Sequence, residues 1–209
     1  MNKWFINLLC LLLSSISISQ NFSGGVFGGL STSQVSGDGL SGFNKIGPRL
    51  GLYVNRHVKW YGIQLELQYL TKGSKKNNSK SNQNTNIDDI NVNYINDYNF
   101  HLNYIGVPVL WFSNIRENLT LELGTSFNFL IKQREEIEFH IDNSREVHKF
   151  EASILIGFTY KINEKIALNT RLSNSIKPIR PHASGETYQL NKGQYNTALC
   201  FNIYYVLKS

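Results

Sequence analysis

The sequence predicts an all-β protein: an eight-stranded antiparallel up-and-down transmembrane β-barrel preceded by a cleaved signal peptide. Three observations carry that expectation. Residues 1–19 have the order of a secretory leader, later segments alternate apolar and polar side chains with period two, and the polar links between them alternate short and long. Composition agrees. Of 209 residues only 17% are charged, while 12 Phe and 11 Tyr far outnumber one Met and four Pro. Charged residues usually make up about a quarter of a globular chain. With 25 Asn as well, this is not the Ala, Glu, Lys and Leu stock of coiled coils, and disordered chains lack such aromatic content.

The leader reads MNKWFINLLCLLLSSISISQ, with Lys3 first, an apolar stretch from Trp4 to Leu13, and a small-x-small site at Ser17-Ile18-Ser19. Cleavage is expected after Ser19, leaving residues 20–209 as one barrel domain. Leu9 before Cys10 does not fit a lipoprotein signal. Loss of Lys3 takes the net charge from +6 to +5, and loss of Cys10 leaves Cys200 as the single thiol, so no internal disulfide can form. No later run of 18 apolar residues exists to make a transmembrane helix, but barrel strands need none.

The strands follow in order. Phe22–Leu30 is Gly-rich and either parity could face out. Pro48, Leu50, Leu52 and Val54 oppose Arg49, Gly51, Tyr53 and Asn55, and Tyr61, Ile63, Leu65, Leu67 and Tyr69 oppose Gly62, Gln64, Glu66 and Gln68. Phe100–Phe112 is apolar on both faces, and Pro108 predicts a bulge or an edge there. Leu119 to Ile131, Ala152 to Tyr160, Ile166 to Leu172 and Thr197 to Leu207 each keep one apolar parity. Short turns are expected near 55–57, 114–118 and 163–164, and long links near 35–44, 74–98, 134–147 and 176–192. That alternation suits a barrel in the outer membrane with both termini periplasmic.

Periodicity alone does not separate a lipid-facing belt from a soluble core. The apolar parity carries no charge in the clean strands, and it places Tyr61, Tyr69, Tyr160 and Tyr205 at strand ends, as an interfacial girdle would. The opposite parity holds Gly, Ser, Asn, Gln, Arg and Glu but no mid-strand Lys, which a water-facing surface would usually carry.

Several short motifs point to a family. Gly24-Gly25-Val26-Phe27-Gly28-Gly29, Gly42-Phe43-Asn44-Lys45-Ile46-Gly47 leading into Leu50-Gly51-Leu52-Tyr53, Gln64-Leu65-Glu66-Leu67-Gln68-Tyr69, and Leu102-Asn103-Tyr104-Ile105-Gly106-Val107-Pro108 resemble the PorT-like small outer-membrane β-barrels of the Bacteroidota. The resemblance covers nearly all of the mature chain, and Tyr104 and Pro108 match that family's Tyr-x-x-x-Pro element on the fourth strand. It implies an eight-stranded outer-membrane barrel, and one family member is implicated in protein export through a Bacteroidota-specific secretion system. Val206-Leu207-Lys208-Ser209 departs from the terminal aromatic that many such barrels present.

Arg49, Glu66, Glu122 and Arg171 fall on the inward parity, where eight strands leave room only for side chains. They are expected to form a paired polar network that fills the lumen; a proton or ion path would be another use of the same residues. Glu136, Glu138, His140 and Asp142 share one strand face at spacing two and are candidate metal ligands, although the spacing matches no known metal motif and a solvated hairpin explains them equally well. Lys72, Lys75, Lys76, Lys80, Lys177, Arg180 and His182 are expected at the external rim. The expected partners are outer-membrane lipid and lipopolysaccharide, with a protein partner at the loops or rim, and not nucleic acid. No cofactor and no catalytic constellation is read, so a non-enzymatic structural or interaction role leads, possible support of secretion or surface assembly included. A secreted lipocalin-like binder of an apolar ligand and a membrane-embedded lipid-modifying enzyme are the alternatives.

Overall fold

Among the described residues, the computed structural model forms nine strands: β1 (Phe22–Ser36), β2 (Lys45–Val58), β3 (Tyr61–Lys76), β4 (Tyr98–Arg116), β5 (Leu119–Ile137), the two-residue β6 (His140–Ile141), β7 (Phe150–Lys161), β8 (Ile166–Ser175) and β9 (Tyr195–Lys208). The structure describes residues 22–38, 40, 42–76, 97–137, 140–142, 144–182 and 192–208; the leader and Lys80 lie outside them. All pairings are antiparallel. Neighbours run β1-β2-β3-β4-β5-β7-β8-β9, and β9 pairs back onto β1, from Gly24↔Lys208 to Ser36↔Tyr195. Closure leaves none of these eight wall strands as an edge. The two-residue β6 pairs antiparallel with the end of β5 alone.

The faces follow the expected parity. Leu50, Leu52, Leu65, Leu67, Ile154, Ile156, Phe158, Phe201 and Ile203 are exposed on the outside, while Arg49, Glu66, Glu122, Asn128, Asn169 and Arg171 are buried inside. Such a polar interior inside an apolar shell inverts a soluble barrel and matches a lipid-embedded one. The two strands that the pattern left open also resolve. In β1 the residues Phe27, Ser31, Ser33 and Val35 point inward; in β4 Phe100, Leu102, Tyr104, Leu110 and Phe112 do.

Pro108 marks neither a bulge nor an edge. It points inward, and the β3–β4 register skips from Leu65↔Val109 to Gln68↔Gly106, where the proline has no N–H to offer. The bulge sits instead at Ile131: Asn103 opposes Lys132 while Tyr104 opposes Leu130. One extra residue reverses the parity of everything beyond it. Lys132, Arg134 and Glu136 therefore share the outer side with Asn103, His101 and Asn99, and Glu135 turns in.

At the long-loop end β3 parts from β2 above the Arg49↔Leu70 pair and leans against the inner side of β1. The hydroxyls of Ser31 and Ser33 donate to the Thr71 and Gly73 carbonyls at 2.6 and 3.1 Å. Gly47 makes this approach possible, because a Cβ there would lie 2.5 Å from the Thr71 Cβ. Beyond the lipid-facing stretch, β3, β4 and β5 thus continue as a capping flap, and the links expected at 74–98 and 134–147 begin later than the pattern suggested.

Candidate functional site

The lumen is the only place where buried charge gathers among the described residues, and it is stratified. Nearest the short turns lies a cavity of about 960 Å³, lined by Tyr53, Asn55, His57, Gln64, Phe112 and Tyr204 among others. Its ceiling is a charge cluster. Arg171, on β8, donates to both Glu66 oxygens at 2.9 and 3.0 Å and to Glu122 at 2.6 Å. Arg49 reaches Glu66 at 3.0 Å and Gln68 at 2.7 Å. The Tyr204 hydroxyl and Gln64 amide also donate to Glu66, at 2.6 and 2.7 Å. Thr159 and Asn169 donate to Glu122. Phe27 stacks on Tyr204 and sits under the Arg49 guanidinium.

The four residues Arg49, Glu66, Glu122 and Arg171, drawn from β2, β3, β5 and β8, are thus brought into one network of two cations and two anions. Pairing of this kind is what a buried charge requires, since an isolated one costs several kcal/mol or more.

Above it Gln68 bridges to Ser126, and Leu70, Ala198 and Cys200 pack together. A second pair follows. Lys72 meets Glu151 at 2.5 Å, and the same carboxylate accepts from Asn128, Ser153 and Asn196. Gly106 leaves room for this layer: a Cβ there would fall 2.2 Å from Asn128 Oδ1 and 3.0 Å from Gln68 Nε2. Tyr104 joins through its hydroxyl, which accepts from Asn196.

The long-loop end is closed by Val35, Tyr98, Phe100, Leu102, Tyr104, Val147 and Ile179. Arg180 is buried against this plug, over the Phe100 ring, and forks onto Glu135, which also accepts from Tyr98. Burial would pull the Arg180 pKa down, but the bonds to Glu135 more than offset that and hold it above its usual value. Asp38 in the first long link is shifted the other way from a normal carboxylate, upward, chiefly by burial.

Two sequence expectations need correction. Arg180 and Lys72 are not rim cations: both are buried and paired, with partners 45 and 79 residues away. Glu135, Glu151 and Tyr204 complete the networks and were missed, although Glu151 already sits on the inward parity one residue before Ala152. The proposed metal face also breaks up. The chain reverses between β5 and β6, so Glu136 opposes Ile141 and Ile137 opposes His140. Glu136 is engaged by Arg134 and Asn99, Asp142 accepts from the Ser144 amide, and Glu138 lies outside the described residues. Among the described residues no three His, Cys, Asp or Glu side chains gather to hold a metal ion.

No curated protein matches the chain in sequence. Solved structures with similar folds include Ail of Yersinia pestis, crystallised with the heparin analogue sucrose octasulfate (11% identity, 89% of this chain and 99% of that one, TM-score 0.47). Neisserial surface protein A (12%, 88% and 96%, 0.49) and OprG of Pseudomonas aeruginosa (11%, 90% and 95%, 0.40) are others. The profile of the outer membrane protein beta-barrel domain matches residues 18–180, and with the closed eight-stranded wall described above the chain belongs to that family of outer-membrane β-barrels.

Proposed function

We propose that this chain is a non-enzymatic outer-membrane barrel that works as a structural or interaction protein, through its loops, rim and outer wall rather than through its lumen. One observation carries this reading: the lumen charges are paired layer by layer, and an apolar plug closes the long-loop end. Both termini and the three short turns are assigned to the periplasmic side, and residues 1–19 are assigned as the removed leader. The PorT-like resemblance supports a role in protein secretion or surface assembly. Lipopolysaccharide and a protein partner are the expected neighbours at the rim.

Planar bilayers containing the purified folded chain test this. No stepwise conductance is expected, and deletion of the gene should impair display of surface proteins without loss of the permeability barrier. A steady conductance that rises when Glu66 is replaced would overturn the closed-lumen reading. Turnover of a lipid analogue, abolished by a single lumen Ser or His substitution, would favour the enzyme instead.

A further inference from the structure

The bulge at Ile131 has a second consequence on the outer wall. It turns Lys132 and Arg134 outward on β5, where they oppose Asn103 and His101 of β4; His101 in turn opposes Gly73, and Asn99 opposes both Lys75 and Glu136. Cross-strand neighbours lie about 5 Å apart, so three adjacent rungs carry Lys75, His101, Lys132 and Arg134. Lys45 of β2, itself buried, backs these rungs: its ammonium donates to Asn99 Oδ1 at 2.6 Å. Burial, with Lys45, Lys132 and Arg134 nearby, lowers the His101 pKa, so His101 offers a neutral imidazole beside these cations; burial and Lys75 likewise lower that of Lys45. Glu136, bound by Arg134 at 2.5 Å, is the one carboxylate among these rungs.

The next rung down is Tyr69–Ile105–Phe129–Phe150, and Phe150 packs on both Phe127 and Phe129. The exposed Lys132 and Arg134, with the half-buried Lys75 and His101 beside them, thus stand over an exposed aromatic and aliphatic wall. A free anion would use only the upper half of such a surface. An amphiphile with phosphate above and acyl chains below would use both.

We propose that Lys75, His101, Lys132 and Arg134 form a binding site for the phosphate groups of a phosphorylated glycolipid of the outer leaflet. The proposal rests on the outer-membrane reading above and on the long-loop end being external. It goes further by naming the face and the residues.

The test uses the full mature chain in detergent, with native mass spectrometry and titration of diphosphorylated lipid A, enzymatically dephosphorylated lipid A and inorganic phosphate. Wild type is expected to retain diphosphorylated lipid A, and the Lys132→Ala/Arg134→Ala double variant to lose about thirtyfold in affinity, the size expected for two cations at a membrane surface. A Lys161→Ala/Lys165→Ala variant at the opposite end should bind as wild type does. Equal binding by the Lys132/Arg134 variant, equal binding of dephosphorylated lipid A, or saturation by inorganic phosphate at similar concentration would each overturn the site. Heat-modifiable gel mobility, read on the same samples, reports the barrel itself: its loss in wild type would sink the outer-membrane reading, whereas its retention with unselective binding sinks only this site.

Discussion

Glu66→Ala is expected to lower the unfolding free energy of the barrel in lipid vesicles by about 3–5 kcal/mol, the usual cost of breaking a buried pair from one side. Four groups donate to this carboxylate: Arg49, Arg171, Gln64 and Tyr204. Removing it leaves two buried guanidinium groups, those of Arg49 and Arg171, with only Glu122 as an anion beside them. Arg171→Ala should cost less than Glu66→Ala, because Glu66 then still has Arg49, while Glu122 keeps Thr159 and Asn169. Glu66→Gln should fall between wild type and Glu66→Ala, since it still accepts hydrogen bonds but carries no charge. Urea unfolding followed by tryptophan fluorescence reads all three; equal midpoints for wild type and Glu66→Ala would show that the cluster does not hold the barrel.

Ile156→Arg is the second large effect. Ile156 is the fourth of six outward residues on β7, from Phe150 to Tyr160, and is exposed. At the height of the hydrocarbon core an outward Arg costs about 2–4 kcal/mol, and near the interface about 0–1 kcal/mol. Leu207→Arg, at the end of β9 and also exposed, is therefore expected to be nearly silent. Were this wall in water, both substitutions would fall within about 0.5 kcal/mol of wild type. The same unfolding assay in vesicles distinguishes the two patterns by depth dependence.

Where one strand parity was uniformly apolar and uncharged, the pattern in the sequence was enough to place it, as over residues 61–69 of β3. Two features defeated it for physical reasons. β4 is apolar on both sides because its two halves meet different surroundings: Ile105, Val109 and Trp111 face outward toward lipid, whereas Phe100 and Leu102 plug the mouth. Glycine gives β1 no alternation to follow over residues 24–29. The Ile131 bulge carries no composition signal at all, yet it decides that Glu135 turns inward to Arg180. Without it Arg180 reads as a surface cation, and its partner 45 residues away stays hidden. Arg49, Glu66, Glu122 and Arg171 were accessible to simple parity because their strands are regular where they stand. The metal candidates failed for the opposite reason: spacing two implies a shared face only on an unbroken strand, and this one reverses.

The central claim is that the apolar wall faces lipid while the polar side fills the lumen, and Trp111 tests it most directly. It sits outward on β4 between Ile63 of β3 and Leu123 of β5, and is exposed. Of the chain's three tryptophans, Trp4 leaves with the leader, and Trp60 is replaced by Phe so that Trp111 reports alone. In vesicles of lipids brominated along their acyl chains, strong quenching and blue-shifted emission are expected from the folded protein. Emission typical of water, untouched by brominated chains but quenched by iodide, would contradict the account.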